Sequence, residues 1–231
     1  MRIERLGFQF RVKLHADDVV TRDGGHQPLA VIGHRGNRAH APENTLESLQ
    51  AVNIFPSKQF ATPQEKIQKG FRPLLSGFTA VPLNDLAAWD KAINAQTTAA
   101  VLIESIQGEG GINPSAPDFL RGVEQICRER NVLFMIDEIQ CGIGRAGKFF
   151  AYEYAGVKPD AIAMAKGLGG GFPIGAIWIA PPHDDLFQAG SHGTTFGGGP
   201  LAATAGLAVL EIIEAEQLVA KVAERSVSWH A

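Results

Sequence analysis

The chain has 231 residues, 45% of them hydrophobic and 19% charged, which suffices for one large globular domain or two small ones. Its formal net charge is −3 and it has no Lys/Arg-rich run, so nucleic acid is not an expected partner. Cys127 and Cys141 form no metal-ligand or CxxC spacing, Met1–Arg11 carries charges throughout, and no apolar run nears the ~18 residues of a membrane helix; a cytoplasmic protein without a membrane span is expected.

In chain order, Phe8–Leu14 alternates weakly, as a strand would, and Arg22–Pro28 has turn composition. Residues 31–52 read VIGHRGNRAHAPENTLESLQAV. This stretch resembles the opening motif of the glycerophosphodiester phosphodiesterases. The resemblance implies His34 for proton transfer, Arg35 for phosphate oxygens and Glu43 for a divalent metal. That family is a whole β/α barrel, with more acidic ligands and a second histidine at later strand ends. None of these follows here, and a metal site needs its full ligand set, so no metal centre is expected. Residues 1–55 are therefore set apart as a segment of their own, ahead of a domain over 56–231.

From residue 84 the pattern becomes regular. Asn84-Asp85 can cap a helix with Leu86, Trp89 and Ile93 on one face. Ala99–Ile103 reads as a strand ending in Glu104, followed by Gln107-Gly108-Glu109-Gly110-Gly111. Ser115 with Asp118 has the spacing of a capping box for a helix over Ser115–Arg130, with Phe119, Leu120, Val123, Ile126 and Cys127 on one side and Asn131 at its end. Val132–Ile136 and Ala161–Ala165 are short apolar runs that stop at Asp137 and Lys166. Between them, Gly147–Gly156 reads as a short helix with Phe150 and Tyr154 turned inward. Ile174–Ile179 is a further strand, Gly190–Pro200 a glycine-rich loop, and Leu201–Val227 a long helical pattern. The alternation predicts an α/β fold with a mostly parallel sheet and flanking helices, the four apolar runs lying in one sheet.

In such sheets ligands bind outside the carboxyl ends of the strands, so Asp137 and Lys166 are expected to face one crevice. An amine and an acid so placed are what pyridoxal 5'-phosphate needs: the lysine bonds the cofactor covalently, and the aspartate keeps the pyridine nitrogen protonated. The strings Asp137-Glu138-Ile139-Gln140, Gly142-Ile143-Gly144-Arg145 and Ala165-Lys166-Gly167-Leu168-Gly169-Gly170-Gly171 resemble the class III aminotransferases, most closely the acetylornithine and ornithine types. The resemblance spans about residues 56–228. It implies the large domain of a fold type I pyridoxal phosphate enzyme, truncated.

By that resemblance Lys166 is catalytic, and Asp137, Gln140, Lys166 and Thr195 hold the cofactor. Gln140 meets the phenolic oxygen; Thr195, beside Thr194, reaches the cofactor phosphate across a homodimer. Glu109 lines the substrate site, opposite an arginine. Ser105 stands where the family usually has proline. The implied substrates are small amino and 2-oxo acids, with N-acetylornithine or a similar ω-amino donor giving its amino group to 2-oxoglutarate, a step in arginine biosynthesis. The family's upstream phosphate loop, its ring-stacking aromatic and its C-terminal small domain have no match here. Weak cofactor retention and negligible transamination are therefore expected of the chain alone. A phosphodiesterase-like fragment and a non-catalytic chimera are the alternatives.

Overall fold

The structure, a computed structural model, describes residues 69, 78–181, 183 and 195–228; His34, Arg35 and Glu43 lie outside them. Helix α1 (Leu86–Ala92) opens on Asp85, whose carboxylate accepts from the Ala88 N–H at 3.0 Å. Trp89 and Ile93 are buried, while Leu86 sits over Gly122 of helix α2 (Pro117–Arg130), where an added Cβ would lie 2.5 Å from a Leu86 methyl carbon. A glycine at that point lets the two helices approach closely.

Strands β1 (Ala100–Glu104), β4 (Leu133–Asp137), β5 (Ala161–Met164) and β6 (Ala176–Ile179) form one sheet in the order β1-β4-β5-β6. The four apolar runs thus share a sheet, as the sequence predicts. β1, β4 and β5 are parallel, with Glu104 in register with Asp137; β6 is antiparallel to β5. Strand alternation splits the apolar residues between faces. Phe134, Ile136, Ile162 and Met164 join Phe119, Val123 and Cys127 of α2 in the larger core. Met135, Ala161, Ile177 and Ile179 form a smaller cluster.

The Ser115–Asp118 pair does not cap α2. The helix starts with Pro117 after Ala116, the Ser115 hydroxyl donates to Glu104 O at 2.9 Å, and Asp118 pairs with Arg121. Proline at the first helical position removes one N–H that would need a cap, so the serine is free to tie the helix entry to the end of β1. At the other end Asn131 adopts φ 54°, ψ 45°, the left-handed cap expected of it. There Asp160 joins α2 to the sheet, accepting from Arg128 at 2.6 Å and from the Phe134 N–H at 2.8 Å.

The expected helix over Gly147–Gly156 is a single 3-10 turn, Ala151–Tyr154. Phe150 is buried, but Tyr154 points outward with its hydroxyl donating to Ala146 O at 2.8 Å, and Tyr152 takes the inner place, stacked on Phe150. The tighter 3-10 rotation shifts which residue faces the core. Helices α3 (Pro200–Ala215) and α4 (Leu218–Ser228) complete the described chain, and no described helix is long and apolar enough to cross a membrane. Asn131 offers a direct check of the left-handed cap. Asn131→Gly should leave unfolding stability nearly unchanged, whereas Asn131→Val should cost about 1–2 kcal/mol in denaturant titration.

Candidate functional site

The carboxyl ends of β1, β4 and β5 bring Glu104, Asp137 and the segment after Met164 to one edge. Lys166 follows β5 by two residues and begins a 3-10 turn, Lys166–Gly169. Its φ of 45° lies in the left-handed region, unusual for a residue with a Cβ, and such strain persists only where the surroundings impose it. Helix α3 supplies part of that surrounding. Gly206 packs under the turn, where a Cβ would stand 3.4 Å from Leu168 O, and a Cβ on Gly170 would stand 2.7 Å from a Val209 methyl. Lys166 itself is exposed.

Asp137 is partly buried. One carboxylate oxygen accepts from the Ile139 N–H at 2.9 Å, and the other accepts no hydrogen bond among the described residues. Burial, and then the nearby Glu104 and Glu138 carboxylates, push its pKa from 3.8 up to about 6, against the opposing pull of the Ile139 N–H and the Lys166 ammonium. The acid and the amine therefore sit within electrostatic reach at neighbouring strand ends.

Gln140 lies on the turn after Asp137, with its carboxamide against Gly108 of the preceding loop. That loop is a small hairpin, β2 (Ile106–Gln107) paired antiparallel with β3 (Asn113–Pro114), and Glu109 is exposed at its tip. The Gly108 N–H donates to Glu104 Oε2 at 2.9 Å, and Asn113 Nδ2 donates to Gly110 O at 2.9 Å. Thr195 is exposed just before α3 and makes no hydrogen bond to Asp137, Gln140 or Lys166 among the described residues. Asp137, Gln140 and Lys166 thus gather at one sheet edge, Glu109 stands on the hairpin beside it, and Thr195 belongs to a separate loop.

Two carboxylates with structural roles at this edge were not singled out from sequence. Glu104 holds the hairpin. Glu138 is fully buried and accepts from Ser105 Oγ, the Ala151 N–H and the Tyr152 N–H, each at 2.9 Å, and from Cys141 Sγ at 3.3 Å. Burial raises its pKa, while those four donors favour the charged form. The signal available was the adjacent pair Asp137-Glu138, because consecutive strand residues point to opposite faces and only one of the two can enter the cleft. Ser105, where proline is usual in the resembled family, contributes a donor that proline lacks.

Residues 59–228 match the family described as Aminotransferase class-III. The chain is 55% identical to acetylornithine aminotransferase 1 of Bordetella parapertussis over 200 residues, 86% of this chain and 51% of the relative. It is 51% identical to the acetylornithine aminotransferase of Caldanaerobacter subterraneus subsp. tengcongensis over 166 residues, 70% of this chain and 42% of the relative. A solved ornithine aminotransferase from Toxoplasma gondii, a protein described as having pyridoxal phosphate at partial occupancy in its active site, aligns with TM-score 0.70 at 28% identity. That alignment covers 83% of this chain and 50% of the other. The chain thus spans about half the length of the curated relatives it matches.

The raised pKa of Asp137 has a thermodynamic consequence. Well below pH 3.8 the group is protonated in both the folded and unfolded chain; above pH 6 the folded chain carries a buried charge that the unfolded chain holds more easily. Asp137→Asn keeps the oxygen that accepts from Ile139 and removes the charge. It should raise stability at pH 7.5 by about 1–2 kcal/mol, below the roughly 3 kcal/mol that the pKa difference would allow because partial exposure screens it. The gain should fade as pH falls from 6 to 4 in urea titrations of the cofactor-free chain.

Glu138→Gln should act in the opposite direction at neutral pH. An amide in that pocket must turn its NH2 toward a backbone N–H donor, stranding it, at a cost of about 1–3 kcal/mol. The same urea titrations check it, and Glu138→Gln should shift the midpoint down without changing the slope.

Proposed function

The chain belongs to the class III aminotransferases, and we propose that it uses pyridoxal 5'-phosphate at the Asp137–Lys166 edge to move an amino group from N-acetylornithine, or a similar ω-amino donor, to 2-oxoglutarate. The observation that carries the reading is the state of Asp137. It is a buried-edge carboxylate whose free oxygen lacks a donor among the described residues and whose proton affinity is raised by burial and by neighbouring acids. A protonated ring nitrogen supplies both the missing donor and the missing positive charge.

When bound, the cofactor provides an electron sink for the bond that breaks at the substrate carbon. Asp137 would hold the ring nitrogen's proton by remaining ionised beside it. Lys166, exposed on its strained turn, would hold the cofactor aldehyde and carry a proton to and from the substrate. Gln140 offers a carboxamide with no hydrogen bond among the described residues to the polar edge of the ring. Glu109, at the hairpin tip, borders the substrate side.

The reading includes a homodimer in which Thr195 serves the cofactor phosphate of the second copy. It is supported by the exposure of Thr195 and Phe196 and by the apolar helix α3, of which Ala202 and Gly206 are the buried residues. It takes residues 56–231 as the aminotransferase part and a cytoplasmic location, the latter supported by two buried free thiols, Cys127 and Cys141.

The test is a titration with excess pyridoxal phosphate, following visible absorbance. An absorbance band should form, should be absent in Lys166→Ala, and should be lost on dialysis. Equal spectra for the parent chain and Lys166→Ala would refute the proposal.

A further inference from the structure

Strand alternation decides which side chains share the face of the crevice. Glu104 and Asp137 are register partners at the carboxyl ends of the parallel strands β1 and β4. Leu102 and Met135 belong to the smaller apolar cluster, and Glu104 and Asp137 lie two residues beyond them, so all four side chains leave the sheet on one face. Ser105 and Glu138, one residue further on, bond each other on the opposite face. On its other side Asp137 is in register with Ala163 of β5, which brings no charge. Both acids are partly buried. The Glu104 carboxylate accepts from the Gly108 N–H at 2.9 Å and forms no ion pair among the described residues. Two carboxylates thus stand side by side at the strand ends, one tied by a backbone N–H and the other open to a ligand.

Resting on the cofactor reading above, we propose that Glu104 is a positioning residue that acts through Asp137: its negative charge helps hold the proton on the cofactor's ring nitrogen without touching the ring. Like charges side by side disfavour each other's ionised form. In the cofactor-free chain burial, then Glu104, then Glu138 raise the proton affinity of Asp137, against the Ile139 N–H and the Lys166 ammonium. A positive ring nitrogen beside Asp137 reverses the sign of that effect, because a second carboxylate favours the charged ring over the neutral one. The charge that destabilises the empty site therefore stabilises the loaded one. The Gly108 N–H holds one oxygen of Glu104, which keeps the charge at the strand end.

The first measurement needs no cofactor. In a chain with 13C-labelled aspartate, the Asp137 carboxyl resonance is assigned by its loss in Asp137→Asn, and it should titrate near pH 6. Glu104→Gln keeps an acceptor for the Gly108 N–H and removes the charge. It should lower the Asp137 midpoint by about 0.5–1 pH unit. Glu104→Asp keeps the charge and loosens the hydrogen bond, so its midpoint should stay closer to that of the parent chain. A residue that only held the hairpin would give the reverse order, with Glu104→Gln nearer the parent, and that order would overturn the proposal.

The second measurement is the affinity for pyridoxal 5'-phosphate at pH 7.5, read from the Lys166-dependent absorbance. It should fall roughly two- to fivefold in Glu104→Gln, the worth of one partly screened charge that does not touch the ring. It should fall less in Glu104→Asp. An unmoved Asp137 midpoint, or an unchanged affinity in Glu104→Gln, would overturn the role of Glu104 and leave the cofactor reading intact. A parent chain with no Lys166-dependent absorbance would overturn the cofactor reading, and the role of Glu104 with it.

Discussion

The buried carboxylate of Glu138 is the constraint on which the rest of the sheet edge depends. Its two oxygens gather donors from the end of β1 through Ser105, from the following turn through Cys141, and from the 3-10 turn through Ala151 and Tyr152. Removing a carboxylate from water costs several kcal/mol, and the cost is offset only when the buried charge is fully hydrogen-bonded. That condition is met here, and no buried side-chain polar atom among the described residues lacks a partner. The requirement runs both ways. The Ala151 and Tyr152 N–H groups open a helical turn in a dry part of the core and need acceptors of their own. One side chain satisfies both ends, so the segment between β4 and β5 is clamped to the strand that precedes it.

The clamp has a geometric result. With Glu138 turned into the core, Asp137 must turn the other way, toward the strand-end crevice. A Cβ at Gly142 would lie 2.6 Å from Glu138 O, so the chain passes too closely there for a larger residue and Gln140 is held on a tight turn. The strained Lys166 is fixed from the other side, by α3 packed on the Lys166–Gly169 turn through Gly206 and Val209. The edge is thus built by two independent supports, one under the acid and one under the amine, and each is made of packing that the cleft residues do not share.

Much of this was legible in the chain. The four apolar runs carry enough contrast with their flanks to be read as strands, and Asn131 marks the end of α2 by its tolerance of left-handed backbone. Asp137 and Lys166 are visible because each interrupts an apolar run. Glu138 is not, since a charge next to a charge gives no periodic signal, and its burial depends on donors that arrive from residues 105, 141, 151 and 152. The hairpin over Ile106–Pro114 escaped for a related reason: strands of two residues are too short to show alternation. Ser115 fits a capping box by spacing, but its hydroxyl bonds Glu104 O across the chain, a long-range preference that local rules do not contain. Tyr154 and Tyr152 exchanged places because a 3-10 turn advances faster per residue than the α-helical spacing assumed.

The charges at the edge close the argument. Glu104, Asp137 and Glu138 put three carboxylates at the ends of two adjacent strands, and both Glu104 and Glu138 raise the proton affinity of Asp137. Within the fold two of these carboxylates are solvated by donors: Glu138 accepts from the Ala151 and Tyr152 N–H groups, and Glu104 accepts from the Gly108 N–H. Asp137 retains an oxygen with no partner among the described residues, and the Lys166 ammonium pulls its pKa down against the burial and the two acids. Arrangements that spend stability in this way cluster at functional sites. Under the proposed cofactor reading, a protonated ring nitrogen would supply the donor and the positive charge that Asp137 lacks. The fold therefore leaves Asp137 partly buried, crowded by two other carboxylates and bonded at one oxygen only among the described residues.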